Sequence, residues 1–172
     1  GQEDRVAARV SEISGQVIKL NGKNIYSRKE LLGRNVVVVL SPEEQNITKG
    51  PPAERRSFFD RIFSVVSPEY LQTLQNYSRT LKQRNAALLQ LRDNIITEED
   101  LETWAKPLSL SGSKLWKLRG RFMADFCALL TSIVQQYDSE IKMEILYSAS
   151  VQDEEQYLKI IVKKIRQDIL QG

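Results

Sequence analysis

The amino-acid sequence predicts an α+β, mainly helical chain in which a small β-hairpin sheet precedes a long antiparallel helical arm. Two observations carry this expectation. Before residue 27 the apolar residues alternate about an Asn-Gly dipeptide, the strongest short-range hairpin signal. Between residues 51 and 137 they recur at spacings of three, four and seven, interrupted only by capping residues and prolines. With 172 residues, 41% of them hydrophobic, the chain can bury one domain-sized core, or a compact part plus an extended arm.

The segment "RVAARV" alternates weakly, and "GQVIKL" and "KNIY" flank Asn21-Gly22, which supplies the positive φ angles of a type I′ turn. Ser27 stands three residues before Glu30, a capping-box spacing ahead of Leu31 and Leu32, and Gly33 closes a single short helix. "NVVVVL" then reads as a strand buried on both faces. Such a strand needs neighbours that this chain offers sparingly, so the sequence reads as a piece of something larger. "SPEEQNIT" places Pro42 at the first helical position behind a Ser41 cap, and this helix ends by Gly50.

In "PPAERRSFFDRIFSVV" residues Phe58, Phe59, Ile62, Phe63 and Val66 form a wide apolar face. Ser67-Pro68 restarts a helix through Arg92, whose Tyr70, Leu74, Tyr77, Leu81 and Leu88 make a narrower stripe. A second long stretch starts at Thr97 with Asp100 at the third position and runs to Tyr137, with a kink or break expected at Pro107 and Gly112. "EIKMEILYSAS" alternates like a half-buried strand, and "QDEEQYLKIIVKKIRQDIL" is a final amphipathic helix with an acidic start and a basic end. The expected organisation is a β region over 1–50, a helical arm over 51–138, and a strand and helix returning toward the β region over 139–172.

Composition excludes several chemistries. The chain has no histidine and one cysteine, Cys127, so triad hydrolysis, ordinary zinc sites and an internal disulfide are ruled out. No stretch reaches the roughly 18 apolar residues of a membrane span, and the N-terminus lacks a signal-peptide pattern, so a cytoplasmic protein is expected. None of the patterns G-x-x-x-x-G-K-[ST], G-x-S-x-G, G-x-G-x-x-G or H-E-x-x-H occurs, and no complete catalytic site or metal site is expected. The acids Glu98, Glu99, Asp100 and Glu102 read as helix-start residues rather than cation ligands. Trp104 and Trp116, set among leucines, read as core rather than base-stacking residues, and Cys127 as an inert thiol in an apolar helix.

The net charge of +3 permits a nucleic-acid partner without requiring one, so the clustering of the basic residues matters more. Lys49, Arg55, Arg56 and Arg61 gather about a Gly-Pro-Pro turn and a helix start, where backbone N–H groups, the helix dipole and guanidinium groups can meet an anion. The residues leave two roles open: a phosphate site, or structural arginines paired with Glu54 or Asp60. Lys114, Lys117, Arg119 and Arg121 form a secondary basic group, and Lys159, Lys163, Lys164 and Arg166 another. For both groups a solvated helix face competes with phosphate contact.

The run from Asn21 to Leu88 resembles the RecF family of bacterial replication and repair ATPases. The family pattern is N-G-K, a strand ending in (F/L)-S-P-E-(D/E), K-G-x-P-x-x-R-R-x-F-(L/F)-D, P-x-Y-L and Q-R-N. Here these elements stand at Asn21 to Lys23, Leu40 to Glu44, Lys49 to Asp60, Pro68 to Leu71 and Gln83 to Asn85. The resemblance is specific over about residues 21 to 90 and continues as a helical pattern, with Trp104 and Arg121 in place, to about residue 140. It implies a strip of an ABC-type ATPase head, related to the structural-maintenance-of-chromosomes proteins, with a helical second lobe. Ser41, Glu43, Glu44 and Gln45 would then lie near the Q-loop position. The family's phosphate-binding loop, signature motif and Walker B acid are absent from the sequence, so no ATPase activity is expected of the segment. For the intact protein the resemblance implies ATP, Mg²⁺, dimerisation, binding to duplex or gapped DNA, and loading of RecA with RecR and RecO. It also leaves open an arm that docks RecR or a second protomer without touching DNA.

Overall fold

The computed structural model describes residues 4–11, 15–27, 30, 46–142, 147–148 and 153–171. The chain divides into two units, Gly1–Pro42 and Glu43–Gly172.

The first unit holds strands β1 (Val6–Ser11), β2 (Gly15–Leu20) and β3 (Lys23–Ile25), an antiparallel meander in that order. Val6 faces Leu20 across the first pair, and Ile18 faces both Ala8 and Ile25. The expected turn is present: Asn21 (φ 51°) and Gly22 (φ 83°) both take the left-handed conformation that a type I′ hairpin requires. At Gly22 an added β-carbon would meet nothing within 4 Å, so the backbone angle alone favours glycine there. Asn21 also anchors the start of β1. Its N–H donates to Arg5 O (2.8 Å), and its Oδ1 accepts from Arg5 N–H (2.8 Å). After β3, the Ser27 N–H donates to Glu30 Oε1 at 3.3 Å, half of the expected capping box. The remainder of that helix, the "NVVVVL" strand and the Q-loop-like residues Ser41, Glu43, Glu44 and Gln45 lie outside the described residues.

The second unit is helical: α1 (Asn46–Lys49), α2 (Pro52–Val66), α3 (Pro68–Arg92), α4 (Glu98–Glu102), α5 (Ala105–Tyr137) and α6 (Glu154–Gln171). Local chemistry sets most of these boundaries. Ser67 Oγ accepts from Tyr70 N–H at 3.1 Å, and Pro68 begins α3 where its missing N–H costs nothing. Asn94 (φ 57°) ends α3, with Ile95 N–H returning to Gln90 O at 2.9 Å. The acids at 98–102 serve the helix start as expected: Thr97 and Asp100 form a complete capping box. These contacts hold the Asp100 carboxyl below its ordinary value, chiefly through the Thr97 backbone N–H.

Contrary to expectation, no break occurs at Pro107 or Gly112; α5 is continuous through both. Pro107 falls in the first turn, where backbone N–H groups lack an intrahelical acceptor in any case. Gly112 is buried where a β-carbon would lie 2.6 Å from Tyr157 Cε1 and 3.3 Å from Tyr77 Cε2. It is a contact point for two neighbouring helices rather than a hinge.

The clusters of buried residues show that α3 and α5 run antiparallel. Tyr70, early in α3, packs with Leu118 and Met123; Tyr77 and Leu81 pack with Ala105 and Leu108; Leu88 packs near Leu101 and Trp104. Helix α6 makes the third member of this bundle, with Ile161 against Ala105 and Leu108, and Ile165 in the cluster of Ala87, Leu88 and Leu101. An ion pair between buried Arg84 and half-buried Asp168, Nη2 to Oδ2 at 2.7 Å, ties α3 to α6. The basic residues of α6 lie along its middle, and its last turn carries none. Of the strand expected over 140–150, residues 143–146 and 149–150 lie outside the described residues. Among the described residues, no helix is long and apolar enough to cross a membrane.

Candidate nucleic-acid interface

Helix α2 presents the twin arginines because Pro51 caps it in an extended conformation (φ −65°, ψ 161°) and Pro52 begins it. This start is poor in backbone donors. Neither proline has an N–H, and those of Glu54 and Arg55 already donate to Pro51 O at 3.0 and 3.4 Å. Anion recognition here therefore rests on guanidinium groups more than on the backbone cradle that a helix start otherwise supplies. Arg55 and Arg56 are exposed, and Arg55 Nη2 donates to Gly50 O at 3.2 Å, which orients it along the turn. Arg61 is exposed, with its guanidinium 5.6 Å from the centre of the Phe58 ring. Lys49 is exposed at the end of α1, where its charge complements the helix dipole.

Between α2, α3 and α5 lies an open groove of about 1150 Å³. Arg55, Arg56 and Arg61 line it; Lys49 does not. Its walls include Phe59, Tyr77 and Trp116, and Asp60, Ser64 and Arg119 also line it.

Asp60 does not pair with the twin arginines. Its partner is Arg119 of α5, 59 residues away: Nη2 donates to Oδ1 (2.8 Å) and Oδ2 (2.9 Å), and Nε donates to Oδ1 (3.0 Å). The Tyr70 hydroxyl donates to the same Oδ1. Arg119 therefore departs from the expectation that grouped it with the exposed basic residues: its side chain is only 8% exposed. Helical geometry explains the split within "KLWKLRGR", because Lys114, Lys117 and Arg121 share the exposed stripe while Arg119 lies across the helix from it. Burial acts to lower the Arg119 pKa, but the Asp60 charge and Tyr70 overcome it, and the net shift is upward. Burial, then the bond to Asp60, pushes the Tyr70 phenol up. The Arg119 charge is thus already met inside the fold, whereas the charges of Arg55 and Arg56 face solvent.

Lys114 and Arg121 approach Glu69 at 4.0 and 3.7 Å, both 60% exposed, and Lys117 is exposed beside them. Exposed pairs at these distances contribute little to stability. Trp104 packs in the cluster near Leu101, while Trp116 packs against Tyr157 with ring centres 4.4 Å apart and planes inclined at 56°. Cys127 is half-buried beside the aromatic cluster of Phe59, Phe63, Phe122 and Phe126. Sequence reasoning did not single out Tyr70 or a partner for Arg119. The available signal was that Asp60 ends one piece of the family pattern and Tyr70 lies within the next.

No family model matches the chain. It is 35% identical over 153 residues to the DNA replication and repair protein RecF of Lachnoclostridium phytofermentans, covering 88% of this chain and 42% of that protein. It is 31% identical over 140 residues to the protein of that name from Caldanaerobacter subterraneus subsp. tengcongensis, covering 80% and 38%. A solved structure of the recombination mediator protein RecF-ATPrS in the RecFOR pathway superposes with a TM-score of 0.81 at 25% identity, covering 98% of this chain and 47% of that one. The chain thus spans about two fifths of the length of the curated relatives it matches. Sequence and fold agree over most of its residues, and the chain is a RecF-family segment.

Proposed function

We propose that this segment serves DNA replication and repair as the helical arm of a RecF-type protein, with Arg55 and Arg56 contacting DNA phosphates. One observation carries the reading: three exposed arginines line a single groove, while the neighbouring buried arginine is already neutralised by Asp60. Exposed guanidinium groups suit the paired oxygens of a phosphodiester. Lys49 adds charge beside the groove, and Lys114, Lys117 and Arg121 supply a secondary basic face. A cytoplasmic location goes with this reading.

The sequence has no glycine-rich loop ending in lysine, so the proposal places the binding of ATP and Mg²⁺ in the intact protein. We derive no hydrolytic step for this chain. In the proposal, nucleotide binding, dimerisation and the loading of RecA with RecR and RecO require the rest of the intact protein.

The test is fluorescence anisotropy of labelled duplex DNA at two salt concentrations, with an Arg55→Ala/Arg56→Ala variant alongside. Binding should weaken steeply with salt, and the variant should bind more weakly with a shallower salt slope. Unchanged binding by a folded variant refutes the assignment. A second reading, docking of RecR or another protomer, draws on the far end of the arm. There Leu89 (54% exposed) and Ile95 (68% exposed) stand near Asp93, Glu98 and Glu99. Capture of RecR that survives the double substitution supports this alternative.

A further inference from the structure

Asp60 has a second partner within reach that it does not take. It stands one helical turn beyond Arg56 on α2, and both residues line the same groove. Glu54 and Asp60 are the acids of this helix, and only Asp60 lies three or four residues from one of its arginines. A pair at this spacing with the base first is the weaker order, yet the helix by itself would still offer it. In the folded chain Arg119 forestalls it. Three hydrogen bonds from the Arg119 guanidinium, together with the Tyr70 hydroxyl, engage both oxygens of the Asp60 carboxylate. The side chains of Arg119 and Asp60 are 8% and 15% exposed, whereas Arg56 is exposed. The ion pair thus forms where water competes least, and the guanidinium left without the carboxylate is the one that faces solvent.

We infer that Arg119 is a positioning residue that keeps Asp60 from neutralising Arg56, so that the Arg56 charge stays available to a phosphate. The inference rests on the reading of Arg56 as a phosphate contact. Without Arg119, Asp60 keeps only the Tyr70 hydroxyl among these donors. A carboxylate largely withdrawn from water then draws in the guanidinium one turn away. Once bonded to Asp60, Arg56 no longer offers its charge to the nucleic acid, and one phosphate contact is lost. Arg55 has no such competitor, because Phe58 and Phe59 stand three and four residues beyond it.

The experiment measures the salt dependence of binding to a labelled blunt duplex by anisotropy, with the 172-residue chain. The slope of log affinity against log salt counts phosphate contacts, and a constant fraction of unfolded protein does not change it. Arg56→Ala should make the slope shallower by about one, and Arg119→Met should do the same with Arg56 in place. The two substitutions together should lose no more than Arg56→Ala alone. Adding Asp60→Asn to Arg119→Met should restore the original slope, because no carboxylate remains to take Arg56. A crystal structure of Arg119→Met should show the Arg56 guanidinium bonded to Asp60. Arg119→Gln, which removes the charge but keeps a hydrogen-bond donor, replaces the methionine variant throughout if that variant does not fold. A slope reduced by Arg56→Ala but unchanged by Arg119→Met overturns the inference and leaves the phosphate reading standing. A further loss when Arg119→Met is added to Arg56→Ala also overturns it, since Arg119 then braces the whole helix. A slope unchanged by Arg56→Ala overturns the phosphate reading and the inference with it.

Discussion

Replacing Arg119 with methionine removes a guanidinium that makes three hydrogen bonds to Asp60, both side chains being largely buried at 8% and 15% exposure. The aliphatic part of the side chain is roughly preserved, so the loss is electrostatic rather than a cavity. The Asp60 carboxylate then keeps only the Tyr70 hydroxyl among these donors. Breaking a buried pair from one side typically costs about 3–5 kcal/mol, and the residual exposure of Asp60 places this case near the lower end. Tyr70→Phe removes one hydrogen bond to a charged acceptor and should cost about 1.5–3 kcal/mol. The double variant Asp60→Leu/Arg119→Met removes both charges together and should be more stable than Arg119→Met alone, because no ion is left uncompensated. Equilibrium urea unfolding followed by tryptophan fluorescence measures all three. A cost below about 1 kcal/mol for Arg119→Met would mean that the pair behaves as an exposed one, and the reasoning from burial would be wrong.

Three further predictions concern the bundle. Gly112→Ala brings a β-carbon to 2.6 Å from the Tyr157 ring, which itself packs against Trp116. Overpacking of about 1–3 kcal/mol should exceed the roughly 1 kcal/mol gained in helix propensity, and a rise in melting temperature would refute the close contact. Burial raises the Tyr70 and Tyr157 phenols above their ordinary value of 10.0. The folded state therefore holds protons that the unfolded chain releases, so stability is full below pH 10 and falls as pH rises beyond it. Urea midpoints across that range check the sign, and Tyr70→Phe should flatten the decline. Arg84→Met leaves Asp168 without its 2.7 Å partner and should destabilise the docking of α6. Because Asp168 is 30% exposed, the expected cost is about 2–3 kcal/mol, below the fully buried case. Hydrogen exchange should then show reduced protection in α6, and unchanged protection would count against the pair as a tie.

The features legible in the amino-acid sequence are those decided within a few residues of chain. The Asn21-Gly22 turn, the Ser67 cap, the Thr97–Asp100 capping box and the antiparallel run of the arm each follow from nearest-neighbour backbone chemistry or from helical spacing. Arg55, Arg56 and Arg61 stand one, five and six residues apart on α2, spacings that do not share a helix face, so only the tertiary structure brings all three to one groove. Tertiary structure alone decided which charges are spent inside the fold. Arg119 meets Asp60 across 59 residues and Arg84 meets Asp168 across 84, and no local pattern distinguishes these arginines from their exposed neighbours. The same holds for Gly112, which reads as a helix breaker until two tyrosines from other helices are packed against it. Local geometry acts through bonds a few residues long, whereas the burial that pairs a charge or requires a glycine exists only once distant helices have met.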